Sequence, residues 1–130
     1  MIPIADLKLL AVTRLTEAEI LLQGGKFDGG AYLCGYSVEF VLKARICQTF
    51  GWSEFPLTRS EFQDYQSLRT HNLGVLLHLS GIEEKVKKDH FNHWNLVSEW
   101  NPDILFRLGA QRELVEAMIN SARALLDILI

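Results

Sequence analysis

The stretch DGGAYLCGYSVEFVLKARICQTF, Asp28–Phe50, decides the fold. It is long, contains no Pro and has too few charges for a surface helix, so it reads as a central, largely buried helix. Asp28 is placed to cap its start, since a short carboxylate accepts a bond from a free first-turn N–H, and Gly51 is placed to end it. On a wheel of about 100° per residue with Tyr36 at the origin, Glu39 falls near about 300°, Tyr32 near about 320° and Lys43 near about 340°. Ser37, Arg45 and Gln48 gather on the far side, at about 100–180°, which is the expected wet face. Glu39 and Lys43 then point inward or into a cleft. An unpaired buried charge is costly enough that both need partners.

Composition bounds the rest. With 130 residues, 48% hydrophobic and 22% charged, residues 1–130 are expected to form one domain around a single core. A net charge of -3 supplies no global basic field for nucleic acid, so any such contact is local. The densest basic spot, Lys85, Lys87 and Lys88, reads as a solvated helix face. Cys34 and Cys47 are separated by about 20 Å along one helix and cannot pair there, and two buried thiols suit a reducing cytoplasm. The opening MIPIADLKLL has no basic region ahead of its apolar residues and no cleavage signal. No window reaches the roughly 18 uncharged apolar residues of a membrane span, so a cytoplasmic protein without membrane contact is expected.

Working outward, Pro3–Gln23 reads as the first helix, with Ile4, Leu7, Ala11, Leu15, Ala18 and Leu22 as its apolar stripe. Gly24-Gly25 ends it, and so short a connection implies an antiparallel helix pair. Pro56 forbids a continuous helix through Trp52–Arg69, although Thr58 and Glu61 fit a capping box that starts a short one. Thr70–Ser80 is the third helix, capped by Thr70, with Leu73, Leu76, Leu77 and Ser80 on one buried face. Ile82–Trp100 is the fourth, with Val86, Phe91, Trp94 and Val97 as core, and Asn101-Pro102 breaks it. Asp103–Gly109 connects to a fifth helix, Ala110–Leu129, whose stripe is Leu114, Met118, Ala122, Leu125 and Leu129. No alternating strand is evident, so the expected class is all-α: an antiparallel up-and-down bundle of four or five helices.

Tyr36, Glu39, Lys43 and His71 are the candidates for chemistry. The first three share one stripe, and His71 opens the next long helix, where free N–H groups favour an anion. Glu39 either fixes the register of two helices by accepting from Lys43 or His71, or belongs to a polar cleft that binds a phosphate or nucleotide or supplies an acid and a base. Arg107, in WNPDILFRLG, is a further candidate, either pairing with Glu39 or holding a phosphate oxygen. His90 and His93, three apart beside Asp89, have the spacing of a metal pair but no third ligand, so no metal site is expected. His78 reads as a half-buried packing residue. Cys34 and Ser37 read as structural, and Trp94, Trp100 and Phe106 as core. Neither Gly24-Gly25 nor Gly29-Gly30 has the spacing or the Lys of a phosphate-binding loop, and no cofactor is implied.

These segments resemble a known family. GYSVEFVLKA, Gly35–Ala44, is similar to the core helix motif of prokaryotic HEPN domains, and THNLGVLL, Thr70–Leu77, to the His-Asn/Asp-Leu motif that follows it. RLTEAEILLQGGKFDGGAYLCGY, Arg14–Tyr36, is similar in style. The resemblance implies a four- or five-helix bundle, dimeric, often partnered by a small MNT-type nucleotidyltransferase in a toxin–antitoxin pair. Many members act as metal-independent endoribonucleases. Those carry an Arg four to six residues before a His, whereas here none of His71, His78, His90 and His93 has one, and Arg69 stands only two before His71. Glu39, Lys43 and His71 alone carry over as motif positions.

The expected function is therefore a HEPN-like homodimer that acts as an interaction and nucleotide-binding module. The site is Tyr36, Glu39, Lys43, His71 and Arg107, and a nucleotidyltransferase is a candidate partner. The alternatives are an endoribonuclease using His71 as its catalytic residue with a displaced Arg69 or Arg107, and a purely structural adaptor.

Overall fold

The computed structural model describes residues 1–106 and 109–130. Six α-helices form the bundle among them: α1 (Ile4–Gln23), α2 (Phe27–Phe50), α3 (Leu73–Leu79), α4 (Glu83–Asp89), α5 (Phe91–Val97) and α6 (Arg112–Leu129). Short 3-10 turns span Gln66–Leu68 and Pro102–Phe106. The expected all-α class holds, with one small addition: strands β1 (Ile2–Pro3) and β2 (Glu54–Phe55) pair antiparallel, Ile2 opposite Phe55. A two-residue ladder is too short to leave an alternating pattern in the sequence.

Helix α1 buries Leu7, Ala11, Leu15 and Ala18 against α2, as its stripe requires. The turn after it uses Gly25 at φ 74°, a left-handed position that suits glycine. Helix α2 begins at Phe27, one residue before the expected start, and Asp28 does not cap it. The Asp28 carboxylate instead accepts the backbone N–H of Ala110 at 3.0 Å, joining the start of α2 to the approach to α6. At the far end Gly51, at φ 72°, closes the helix by donating its N–H to the Cys47 carbonyl.

The expected wet face of α2 is mostly dry. Ser37 is fully buried and donates its hydroxyl to the Cys34 carbonyl at 2.6 Å, and Arg45 is half-buried, leaving Gln48 alone exposed. Helices α1, α3 and α6 and the Pro102–Phe106 turn all pack on α2, so little of its circumference reaches solvent. At Gly35 the approach is closest: a Cβ there would fall within the Trp100 indole. Glycine is required by this contact rather than by backbone angle.

Later boundaries shift for local reasons. Only half of the expected box forms: Thr58 Oγ1 accepts the Glu61 N–H at 3.3 Å, but the Glu61 carboxylate takes the Thr58 hydroxyl and the Leu57 N–H rather than the Thr58 N–H. No α-helix follows, and Phe62 turns inward to meet Phe55 with ring centroids 5.9 Å apart. Thr70 does not cap α3. Its hydroxyl accepts the Asn72 N–H, and Asn72 is the cap, accepting from Val75 at 3.1 Å, so His71 precedes a seven-residue helix instead of opening a long one. The expected fourth helix is two, α4 and α5, broken at His90 with φ -133°. Val86, Trp94 and Val97 are buried as expected, while Phe91 is exposed. In α6 the buried face runs through Val115, Met118, Ile119, Ala122, Leu125, Leu126 and Leu129. This face is wider than a single stripe and leaves Leu114 in solvent. The Phe106 side chain and Arg107 lie outside the described residues.

Gly35→Ala tests the Trp100 contact. Alanine favours a helix over glycine by about 1 kcal/mol, whereas overpacking a core costs about 1–3 kcal/mol. With the new methyl placed inside the indole, a net loss of about 2 kcal/mol in urea unfolding is expected.

The two thiols are free and buried. Burial pushes Cys34 from 9.0 up to about 12. It pushes Cys47 up to about 11, against a smaller lowering from a backbone hydrogen bond. Between these values and 9 the unfolded chain releases thiol protons that the folded chain keeps, so the stability they confer is whole below pH 9 and drains as pH rises toward 12. The urea midpoint should fall over this range, and a Cys34→Ala, Cys47→Ala double variant should flatten that fall.

Candidate functional site

The site forms where α2 meets the residues just before α3. Glu39 is buried by its place on α2, at 1% exposure. Its two carboxylate oxygens have separate partners: Oε1 lies 2.7 Å from His71 Nδ1, and Oε2 accepts from Lys43 Nζ at 3.0 Å. Lys43 stands one helical turn further along α2, so this ion pair is built into the helix. The bond to His71 joins residues 32 apart in the chain and holds the end of the 52–72 excursion to the core helix.

His71 is the exposed member, its side chain 54% accessible. Pairing by Nδ1 fixes the ring's orientation, and among the described residues its Nε2 makes no hydrogen bond. Tyr36 packs edge-on to the imidazole, with centroids 5.7 Å apart. It also touches Tyr32 and Trp100, each at 5.1 Å, and Phe40 at 6.0 Å. The Tyr36 hydroxyl is pushed well above its ordinary value, first by burial, then by the Tyr32 phenol and the negative Glu39. Lys43 is flanked by Phe55, 5.3 Å from that ring's centroid. The whole is a buried carboxylate beside a cluster of aromatic rings, with one imidazole exposed to solvent.

The structure thus brings together four of the five sequence candidates, Tyr36, Glu39, Lys43 and His71; Arg107 lies outside the described residues. Free N–H groups at a helix start take no part, because α3 begins only after His71. Sequence reasoning missed Phe40, Phe55 and Trp100 as neighbours of Tyr36 and Lys43. Phe40, one turn from Tyr36, carried a readable signal, whereas Phe55 and Trp100 arrive from distant segments and carried none.

The other candidates stay apart. His93 Nδ1 lies 3.1 Å from Ser121 Oγ on α6, and no group of metal-holding side chains occurs among the described residues. His78 is exposed, not half-buried, and its Nδ1 meets Glu83 at 3.2 Å. That contact and Lys87 hold the Glu83 carboxyl below its ordinary value. Trp94 and Trp100 are core. No helix among the described residues is long and apolar enough to cross a membrane. Compared with family models, curated proteins and solved structures, the chain matches none of them.

Glu39→Ala removes the acceptor that Lys43 and His71 share. Breaking a buried pair costs about 3–5 kcal/mol, and the exposed imidazole regains water, so a loss near about 3 kcal/mol is expected. Glu39→Gln keeps the shape and one acceptor and should lose less. Chemical denaturation of both variants reads the order directly.

Proposed function

We propose that the chain is a HEPN-like domain that works as a homodimeric interaction and nucleotide-binding module, with a small MNT-type nucleotidyltransferase as its partner. The observation that carries this reading is the Glu39–His71 bond: a buried carboxylate holding an exposed imidazole by one nitrogen. The other nitrogen is left to meet a ligand beside the Tyr36 ring. An imidazolium there donates to a phosphate oxygen, and the aromatic edges offer a base or sugar an apolar wall. Glu39 already engages Lys43, so the site carries little surplus positive charge and suits one phosphate better than a long polyanion.

A second reading, endoribonuclease, draws on the same bond, since a carboxylate that orients an imidazole is also how a general base is held. Cleavage further needs a cation against the charge that builds on the scissile phosphate. Arg69 is exposed and two residues from His71, without the four-to-six spacing of the catalytic members. Binding without cleavage is therefore the reading preferred.

Calorimetric titration with nucleoside mono- and triphosphates is the test. Binding that weakens about tenfold or more in His71→Ala, with helical content intact, is expected from loss of a charge-assisted hydrogen bond. Single-stranded RNA should remain uncut over the same period. Cleavage that vanishes in His71→Ala would transfer the proposal to the second reading, and no binding at millimolar nucleotide would leave a structural adaptor.

A further inference from the structure

The face of α1 turned away from α2 is apolar and uncovered. Leu9 is 65% exposed, Val12 47% and Ile20 63%. With Ala5 and Thr16, also exposed, they repeat at intervals of three and four and so form one stripe along the helix. Thr16 joins the stripe as a methyl group, because its hydroxyl donates to the Val12 carbonyl at 3.0 Å. Other exposed apolar side chains, such as Leu57, Phe91 and Leu114, belong to separate segments and share no stripe with it.

We infer that this stripe is the surface through which two copies of the chain associate, α1 packing antiparallel on α1 of the partner about a two-fold axis. The inference rests on the homodimer part of the reading above and adds to it the face, the direction and the register. Charge complementarity selects the occupant. In an antiparallel pair about a two-fold, the same flank of each helix meets its copy. One flank of the stripe carries Lys8 near its start and Glu19 near its end. Setting Val12 against Thr16 of the partner subunit places Leu9 beside the partner's Ile20, and Lys8 within reach of the partner's Glu19. Each contact then occurs twice. Glu19 is already held in place by Arg123 of α6, which it meets as an ion pair. A parallel pair about a two-fold brings opposite flanks together, so Lys8 and Glu19 would lie on opposite sides of the seam from their copies and the pairing would be lost. One helix face about 30 Å long falls at the small end of stable interfaces, so the dimer should dissociate on dilution.

Sedimentation equilibrium from about 5 to about 200 µM tests the face, using the wild-type chain and a Leu9→Glu, Ile20→Glu variant checked for helix content. A concentration-dependent dimer whose dissociation constant rises at least about 100-fold in the variant supports the inference. A variant that dimerises like wild type overturns this face while leaving the homodimer reading standing, and a wild-type chain that stays monomeric overturns both. Should the charged variant lose its helices, cysteines decide. Leu9→Cys and Ile20→Cys chains, oxidised as a mixture, should form a linked dimer, and neither should link alone. Cys34 and Cys47 are buried and take no part. Linkage of either variant alone, or none in the mixture, overturns the register.

Discussion

A helix that is apolar nearly all round survives in water only inside a sheath. This constraint organises the molecule. Half of the 24 residues of α2 are buried and cover most of its circumference, while the arc through Tyr32, Tyr36, Phe40 and Lys43 is half-buried. The chain answers with α1 and α6 along the length of α2, α3 near its far half, and Trp100 laid across Gly35 where the approach must be closest. Bonds between distant residues then fasten the sheath, among them Asp28 to the Ala110 backbone and the Thr49 hydroxyl to the Ser80 carbonyl.

Within that sheath Glu39 is the exception that needs an explanation. Its burial would be prohibitive without Lys43 and His71, and the pair is asymmetric: one partner comes from the same helix and is shielded, the other from a distant segment and is wet. A purely internal ion pair would have needed only Lys43. The second bond ties a solvent-facing imidazole to the core, which is why the functional reading proposed here begins from it.

Much of this was legible in the sequence because it rests on periodicity and on the cost of burying charge. The stripe of α1, the central place of α2 and the nearness of Lys43 to Glu39 follow from spacing, and His71 is one of the candidate partners that the order of the helices offers. The failures share a cause. Asp28 looked like a cap, Ser37 like a wet residue and Leu114 like core, each judged from its own helix alone. What reassigned them came from elsewhere in the chain: Ala110 for Asp28, the covering helices for Ser37, and the line of approach of α6 for Leu114. The break at His90 left no Gly or Pro to mark it.

The 52–72 excursion has an energetic individuality of its own. It holds to the body through a two-residue ladder, the Ile4 N–H on the Ser53 carbonyl, the Met1 amino group on Glu61, the inward cluster of Phe55, Phe62 and Leu68, and the imidazole on Glu39. These contacts are fewer than those that join α1 to α2, so this segment is expected to open locally before either of those helices. In the proposed binding role, a ligand on the free imidazole nitrogen would act on the end of this segment. Under that proposal, occupancy of the site and the order of these residues would be two readings of one equilibrium, each able to report on the other.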